Sequence, residues 1–267
     1  MFQVRRRMTV RGLLVFVLLC LVLTSCSRQT VKDRMAPEDR LALADMMRNE
    51  ENCVKAIEQY ERLLSEFPTP QVAEKARFNL AVCRLDLEQY DLARAEFEDF
   101  IDSYPLSERA DNALYMIGLS YLRAAPRPER DQSQTVKALN ELTLLLREYP
   151  ETDVREEAEE AVAECRSRLA QKEYLAGMLY LKMKDHVAAR LYFDSVIENY
   201  GDTRWAALAL LSKGRSYAQQ KRYEDARAAF ERVIEDFPRS EAGDEAAAEI
   251  QDLDHVQPGG DDVESTG

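Results

Sequence analysis

Histidine, glycine, proline and tryptophan are scarce in this 267-residue chain. It contains two histidines, nine glycines, nine prolines and one tryptophan. So few glycines and prolines argue against a fold of many short strands and tight turns. His186 and His255 belong to no ligand pattern, which argues against a metal site and against a catalytic centre. With 32% charged and 46% apolar residues, the chain is expected to be all-α with one or two substantial cores.

Basic residues are also in deficit, and most of the N-terminal ones are expected to be removed. The formal net charge is −13. Loss of Arg5, Arg6, Arg7 and Arg11 with a signal segment would leave a mature chain near −17, with 49 acidic residues. Nucleic-acid binding depends on Lys and Arg replacing the counterions of phosphates. We therefore expect no nucleic-acid partner.

The N-terminus has the pattern of a bacterial lipoprotein signal. Arginines precede the apolar run GLLVFVLLCLVLT, which is too short to cross a bilayer of about 30 Å as a helix. The segment ends in Leu23-Thr24-Ser25-Cys26, which resembles the lipobox of bacterial lipoproteins. Acylation of Cys26 would anchor the mature chain in a membrane, and Ser27 after it favours the outer membrane. An ordinary signal peptide and an uncleaved anchor remain as alternatives.

Three further cysteines remain after the signal is cleaved, Cys53, Cys83 and Cys165. They are odd in number and have no C-x-x-C spacing, so small buried side chains are the expected role. A disulfide between two of them remains open. No cofactor, metal or catalytic residue is predicted.

Five copies of one pattern run along the chain. A small residue is followed after twelve residues by Ala, after four more by a bulky residue and after eight more by Pro or Gly. The third copy has twenty residues in the first interval. The copies are Ala44-Ala56-Tyr60-Pro68, Ala81-Ala93-Phe97-Pro105, Gly118-Ala138-Leu142-Pro150, Gly177-Ala189-Phe193-Gly201 and Gly214-Ala226-Phe230-Pro238. This resembles the tetratricopeptide repeat, which predicts a right-handed solenoid of five helix pairs.

Two stretches depart from the regular repeat. Residues 127–135, RPERDQSQT, enlarge the third copy, and we call them the RDQ loop. Pro126 and Pro128 should end the first helix of this copy, and Asp131, Ser133 and Thr135 should cap its second helix. Direct contact of this loop with a partner is the alternative. The step between copies 3 and 4 is 14 residues longer than the others, close to four helical turns, which predicts one long helix joining repeats 3 and 4.

The loop, the lipobox and the segments around them are similar to the BamD family of outer-membrane assembly lipoproteins. The similarity includes ADNALYMIGLSY before the loop and VAARLYFDSVIENYGDT further on, and covers residues 37–240. It implies a lipid-anchored, non-enzymatic protein facing the periplasm, which binds a BamA-type β-barrel insertase and unfolded outer-membrane proteins. Other assembly lipoproteins are further candidate partners. Family members often carry Arg where this chain has Tyr192, so docking is assigned to Tyr192 together with Arg190.

The tetratricopeptide resemblance also implies a peptide groove on the inner face of the first three repeats. Its positions lie three before, one after and four after the small residue. The groove residues are Leu41, Phe78, Val82, Leu85, Tyr115, Leu119 and Leu122. They are apolar or aromatic, so the groove should prefer hydrophobic peptide side chains; packing in the core is the alternative for several of them.

These expectations divide the chain into five parts. They are a cleaved signal (1–25), a linker (26–36), a client-binding lobe with repeats 1 to 3 (37–150), an insertase-docking lobe with the joining helix and repeats 4 and 5 (151–254), and an acidic tail (255–267). A tetratricopeptide adaptor for peptidoglycan synthesis or secretion is the rival function. It would share the lipobox and the repeats but lack the RDQ loop and the long helix.

Overall fold

The computed structural model describes residues 35–67 and 70–256, and helices are the only regular elements in these two ranges. The predicted all-α fold is confirmed. The helices are α1 (Pro37–Asn49), α2 (Cys53–Glu66), α3 (Pro70–Asp86), α4 (Tyr90–Ser103), α5 (Ala110–Ala124), α6 (Ser133–Glu148), α7 (Arg155–Lys182), α8 (His186–Asn199), α9 (Arg204–Gln219), α10 (Tyr223–Asp236) and α11 (Glu241–Val256).

The chain separates into two compact units, one ending at Cys83 and the other beginning at Arg84. The first contains α1, α2 and most of α3, and the second contains α4 to α11. This boundary differs from the predicted lobe boundary at residue 150, which concerns partners and stays a prediction. The predicted signal and linker, apart from its last two residues, and nearly all of the acidic tail lie outside the described residues.

The small and bulky positions of the repeat meet inside three helix pairs of the second unit. A Cβ placed on Gly214 would lie 2.4 Å from the Phe230 ring, and one on Gly177 would lie 2.6 Å from Phe193. Gly118 faces Leu142 in the same way. The bulky side chain therefore fills the space against the first helix of its own repeat. Glycine is needed here because the ring leaves no room for a methyl group.

We expect Gly214→Ala to lower the free energy of unfolding by about 1–3 kcal/mol, because Phe230 is fully buried and its ring must move to admit the new methyl group. Thermal unfolding measures the loss, at about 2–4 °C per kcal/mol for a chain of this size. Gly201→Ala is the matched control, since a Cβ placed on Gly201 would lie 3.2 Å from the carbonyl oxygen of Ile197 and would meet no side chain. Equal midpoints for the Gly214 variant and the unaltered protein would contradict this packing.

Four of the five turns between paired helices share one backbone feature. Each contains a residue with φ near +60°, namely Glu51, Glu88, Lys184 and Lys221. These are the four repeats that keep the twelve-residue interval. The third repeat has the longer loop between α5 and α6 instead. Its insertion therefore takes the place of a turn with positive φ, a backbone conformation that residues other than glycine adopt at a cost in free energy.

The long joining helix is confirmed as α7, with 28 residues. Its first half packs on α5 and α6, where Ala158 and Cys165 share a cluster with Leu142. Its second half packs on α8 and α9, where Ala170 shares a cluster with Phe193. This helix therefore contributes buried residues to the cores of repeats 3 and 4 and does not merely connect them at the surface.

The three cysteines of the described residues are all buried, as predicted for small apolar side chains. Cys165 is a free thiol, and burial followed by the charge of Glu164 raises its pKa to about 12. A thiol in this state is a weak nucleophile at neutral pH.

Candidate partner-binding surfaces

The enlarged loop of repeat 3 is organised by Gln132, whose side chain is only 2% exposed. Its Nε2 donates to the carbonyl oxygens of Arg127 (2.9 Å) and Pro126 (3.3 Å). Its Oε1 accepts from the Thr135 hydroxyl at 2.6 Å. The loop thus folds around one buried amide, a role that the sequence analysis missed because glutamine is an ordinary surface residue.

The predicted capping of α6 is right for one residue and wrong for two. Asp131 Oδ2 accepts from the backbone N–H of Ser133 at 3.1 Å. The Ser133 hydroxyl donates to that same carboxylate, and the Thr135 hydroxyl donates to Gln132, so neither accepts from the free N–H groups of the helix. The predicted end of the preceding helix is confirmed, since α5 stops at Ala124, ahead of Pro126.

The predicted peptide-groove residues fall in both units. Leu41, Phe78 and Val82 belong to the first unit and are half-buried. In the second unit Tyr115 and Leu119 are half-buried, whereas Leu85 and Leu122 are each only 3% exposed. Leu122 packs in the cluster around Leu142. Leu85 and Leu122 therefore serve as core residues in this conformation, and the five others keep exposed surface that a peptide could contact.

The two predicted docking residues lie on α8 but differ in their surroundings. Arg190 donates to the Ser216 hydroxyl (3.1 Å) and to Gln220 Oε1 (2.7 Å), and its guanidinium carbon lies 4.5 Å from the centre of the Tyr217 ring. Tyr192 stacks on Tyr180 with 5.3 Å between ring centres and remains 37% exposed. Arg190 is thus already engaged between α8 and α9, while more than a third of Tyr192 stays exposed.

Next to these residues, the α7–α8 hairpin exposes four large apolar side chains. We call Val187 and Leu191, which are four residues apart on one face of α8, the repeat-4 apolar surface; they are 62% and 66% exposed. Leu179 and Met183 are 57% and 66% exposed and lie on the side of α7 turned away from Gly177, the residue that faces Phe193 of α8. Groups of exposed apolar side chains of this kind mark interaction sites more often than isolated ones do.

The repeat register shows that this surface is specific to repeat 4. Val187 and Leu191 stand two before and two after the Ala of the second helix. The corresponding pairs in repeats 1, 2, 3 and 5 are Val54/Glu58, Asp91/Ala95, Val136/Asn140 and Glu224/Ala228. Only repeat 4 carries large aliphatic residues at both positions, so the aligned copies contained a signal that the sequence analysis did not use.

A cleft of about 570 Å³ opens beside the same hairpin. The start of α6, the middle of α7 and the two tyrosines Tyr192 and Tyr200 form its walls. Its lining residues are Asp131, Gln132, Ser133, Val136, Leu169, Lys172, Glu173, Ala176, Tyr192 and Tyr200. The RDQ loop and the predicted docking residue Tyr192 therefore border one cavity, although they are some sixty residues apart in sequence.

The first unit contains a buried polar network centred on Asp45 of α1. The carboxylate accepts from the Tyr60 hydroxyl (2.7 Å), from Lys75 Nζ (2.6 Å) and from Asn79 Nδ2 (2.8 Å). Burial acts to raise the pKa of Asp45, but the hydrogen bonds from Lys75, Tyr60 and Asn79 outweigh it and lower the pKa below its usual 3.8. Asp45 thus joins α1, α2 and α3, a structural role with no chemistry attached.

We expect Asp45→Ala to cost about 2–4 kcal/mol of unfolding free energy, because the fully buried Tyr60 and the buried Asn79 lose their acceptor. The pKa of Asp45 is lower in the folded protein than in the unfolded chain. The contribution of Asp45 to the free energy of unfolding is therefore complete above the unfolded pKa and is lost as the pH falls through the folded pKa. Denaturant unfolding of both proteins between pH 7 and pH 3 should show the difference narrowing in acid. The exposed Asp39→Ala on the same helix is the control; a pH-independent difference would contradict the network.

Neither a metal cluster nor a spanning helix occurs in the part of the chain that the structure describes. No three His, Cys, Asp or Glu side chains there lie close enough to hold a metal ion. No helix among those residues is both long and apolar enough to cross a membrane.

A protein-family model described as an outer membrane lipoprotein (YfiO) matches residues 42–220, well over half of the chain. The chain belongs to this family. A tetratricopeptide-repeat model matches residues 208–240, which confirms the predicted repeat type. Membership in this family makes the protein an outer-membrane lipoprotein.

The chain aligns with most of the length of its bacterial relatives. The chain is 25% identical to the outer membrane protein assembly factor BamD of Neisseria gonorrhoeae, over 86% of this chain and 92% of that protein. It is 25% identical to the protein of the same name from Xylella fastidiosa strain Temecula1, over 74% of this chain and 72% of that protein. Among solved structures, the complex of the TPR2AB domain of yeast Sti1 with pHSP90 matches at 15% identity with a TM-score of 0.43, over 82% of this chain and 83% of that chain.

Proposed function

We propose that this lipoprotein is a non-enzymatic subunit of the machinery that assembles β-barrel proteins in the outer membrane. Its family membership supports this role, because its relatives bear the name of an outer membrane protein assembly factor. The proposal has two parts. Repeats 4 and 5 dock on the periplasmic domains of a BamA-type insertase, and repeats 1 to 3 receive unfolded barrel proteins.

The repeat-4 apolar surface is the observation that carries the docking part. Exposed aliphatic side chains gain free energy only when a partner covers them, about 1.5–3 kcal/mol for each Val or Leu that becomes buried. Tyr192 follows Leu191 in sequence and has a partly exposed ring. Arg190 would have to give up its bonds to Ser216 and Gln220 to join an ion pair with a partner. We therefore assign docking to the apolar surface and Tyr192, with Arg190 holding α8 against α9.

Extraction of native membranes in a mild detergent, followed by identification of co-purifying proteins, tests the proposed role. A β-barrel protein with repeated periplasmic domains should appear in a ratio near one to one. The rival adaptor function shares the lipid anchor and the repeats but not the RDQ loop or the long helix, and the co-purifying proteins distinguish the two functions directly. Recovery of peptidoglycan enzymes or secretion components in place of the barrel protein would establish that rival.

We expect the double variant Phe78→Glu/Tyr115→Glu to bind peptides copied from barrel C-termini about tenfold more weakly than the unaltered protein. The loss is modest because both aromatic side chains are already half-buried in the free protein, so a peptide covers only part of each ring. Ordering the peptide costs about 1–2 kcal/mol per residue, which makes binding to the unaltered protein weak as well. Fluorescence anisotropy with labelled peptides measures the affinity, and thermal unfolding verifies that the variant is folded. Leu106→Glu, at a site 97% exposed and outside the predicted groove, is the control. Unchanged affinity in a folded double variant would remove these residues as the client site.

A further inference from the structure

The cleft beside α7 contains a carboxylate oxygen that lacks a hydrogen-bond partner. Glu173 lines the cleft, and its Oε2 atom is buried without any partner among the described residues. A buried carboxylate oxygen without a hydrogen bond costs folding free energy. We therefore expect this atom to accept a hydrogen bond from a donor on a bound partner. Among the buried polar atoms that lack partners, only this one is an acidic oxygen lining the cleft.

The charges and rings around Glu173 define which donor would fit. Asp131 adds a second carboxylate to the lining, and Lys172 is the only cationic residue in it. Lys172 is exposed, and its charge acts on Asp131, whose pKa is lowered first by the hydrogen bonds from Ser133 and then by Lys172. The cleft therefore has one more negative charge than positive, and its lysine is already near Asp131.

Two tyrosines, Tyr192 and Tyr200, line the same cleft as Glu173. Burial raises the pKa of Tyr200, the negative charge of Glu173 raises it further, and the charge of Arg166 lowers it. Arg166 lies 5.6 Å from the centre of the Tyr200 ring, and Tyr180 stacks on one face of Tyr192. A cation that reaches Glu173 from the cleft would gain an ion pair, together with a contact on the ring face that these partners leave uncovered. The planar guanidinium suits such a site best, because it is weakly hydrated and stacks on rings.

We infer that this cleft binds an arginine side chain from an extended segment of a partner polypeptide, with Glu173 as its ion-pair partner and Tyr192 and Tyr200 as its walls. The cavity of about 570 Å³ is large enough for that side chain and a neighbouring residue. The apolar side chains Val136 and Leu169 supply the remaining contact. This site shares Tyr192 with the proposed docking surface but goes beyond the proposed function, since it concerns what enters the cleft and not which protein docks on the repeat-4 apolar surface.

The test compares two dipeptides that differ only in charge. Acetyl-Arg-Tyr-amide and its citrulline counterpart are titrated into the purified mature lipoprotein in detergent micelles, and the methyl signals of Val136 and Leu169 are followed by NMR. The arginine peptide should move both signals to saturation with an affinity at least tenfold higher than the citrulline peptide. Equal affinities, or no movement of these two methyl signals with either peptide, would overturn the inference.

Two variants separate a binding role of Glu173 from a structural one. Glu173→Gln should lower the affinity for the arginine peptide at least tenfold without lowering the unfolding midpoint, because it removes a carboxylate whose Oε2 atom is buried without a partner among the described residues. Glu160→Gln on the exposed face of the same helix should change the affinity less than twofold. Equal effects of the two variants would contradict the ion pair. If Glu173→Gln does not fold, the comparison of the two peptides on the unaltered protein still decides. The insertase need not be present, so the result is distinguishable from failure of the proposed docking.

Discussion

The double variant Val187→Glu/Leu191→Glu is expected to lose at least a hundredfold in affinity for the periplasmic domains of the insertase. Both side chains are more than 60% exposed, so the substitutions should leave the fold intact. Burial of the two aliphatic side chains in the interface would be worth about 3 kcal/mol or more, which corresponds to more than a hundredfold in affinity. Two buried carboxylates without partners would weaken the complex further.

Biolayer interferometry with the full-length lipoprotein immobilised and the insertase domains in solution measures this loss. Val54→Glu is a matched control, because Val54 has the same place in repeat 1 as Val187 in repeat 4, is 67% exposed, and is followed by Glu58 where repeat 4 has Leu191. The control should bind as the unaltered protein does. Full affinity in the double variant would show that docking uses another surface.

The second large effect concerns Cys26, which lies outside the described residues. We expect Cys26→Ser to move the mature chain almost completely from the membrane to the periplasmic fraction, with its helical content unchanged. Each buried CH₂ of an acyl chain contributes about 0.8 kcal/mol, so the acyl chains of a lipoprotein hold it permanently while the polypeptide alone does not. Fractionation after a high-salt wash, with immunoblotting, measures the distribution.

Cys20→Ser is the control for this substitution, since Cys20 lies within the apolar run and should leave with the signal segment. It should remain in the membrane fraction like the unaltered protein. Retention of Cys26→Ser in the washed pellet would show that the polypeptide has another means of attachment.

The repeat pattern could be predicted from sequence because its spacing has a direct steric cause. Gly214 and Phe230 stand sixteen residues apart in the chain and meet in the structure because the ring needs the missing side chain. The same argument predicts Gly177 with Phe193. The long helix α7 followed from a 14-residue excess that keeps the register of a helix.

Other features could not be predicted because they depend on contacts between distant residues. Asp45 is one aspartate among many acidic residues until the fold brings Tyr60, Lys75 and Asn79 to it. Glu173 is one glutamate among several on α7 until the fold places it in one cleft with the RDQ loop and Tyr200, where its Oε2 atom is buried. Core packing was the alternative for several of the predicted groove positions, and the fold shows that Leu85 and Leu122 are the ones in the core.

Photo-crosslinking from position 191 in living cells tests the central claim most directly. A photoreactive amino acid in place of Leu191 should give one dominant adduct, and mass spectrometry should identify its partner as a β-barrel protein with repeated periplasmic domains. The same amino acid in place of Val54 should not give this adduct. An adduct from position 191 to a peptidoglycan enzyme or a secretion component, or no adduct at all, would contradict the proposal that repeat 4 docks on the insertase.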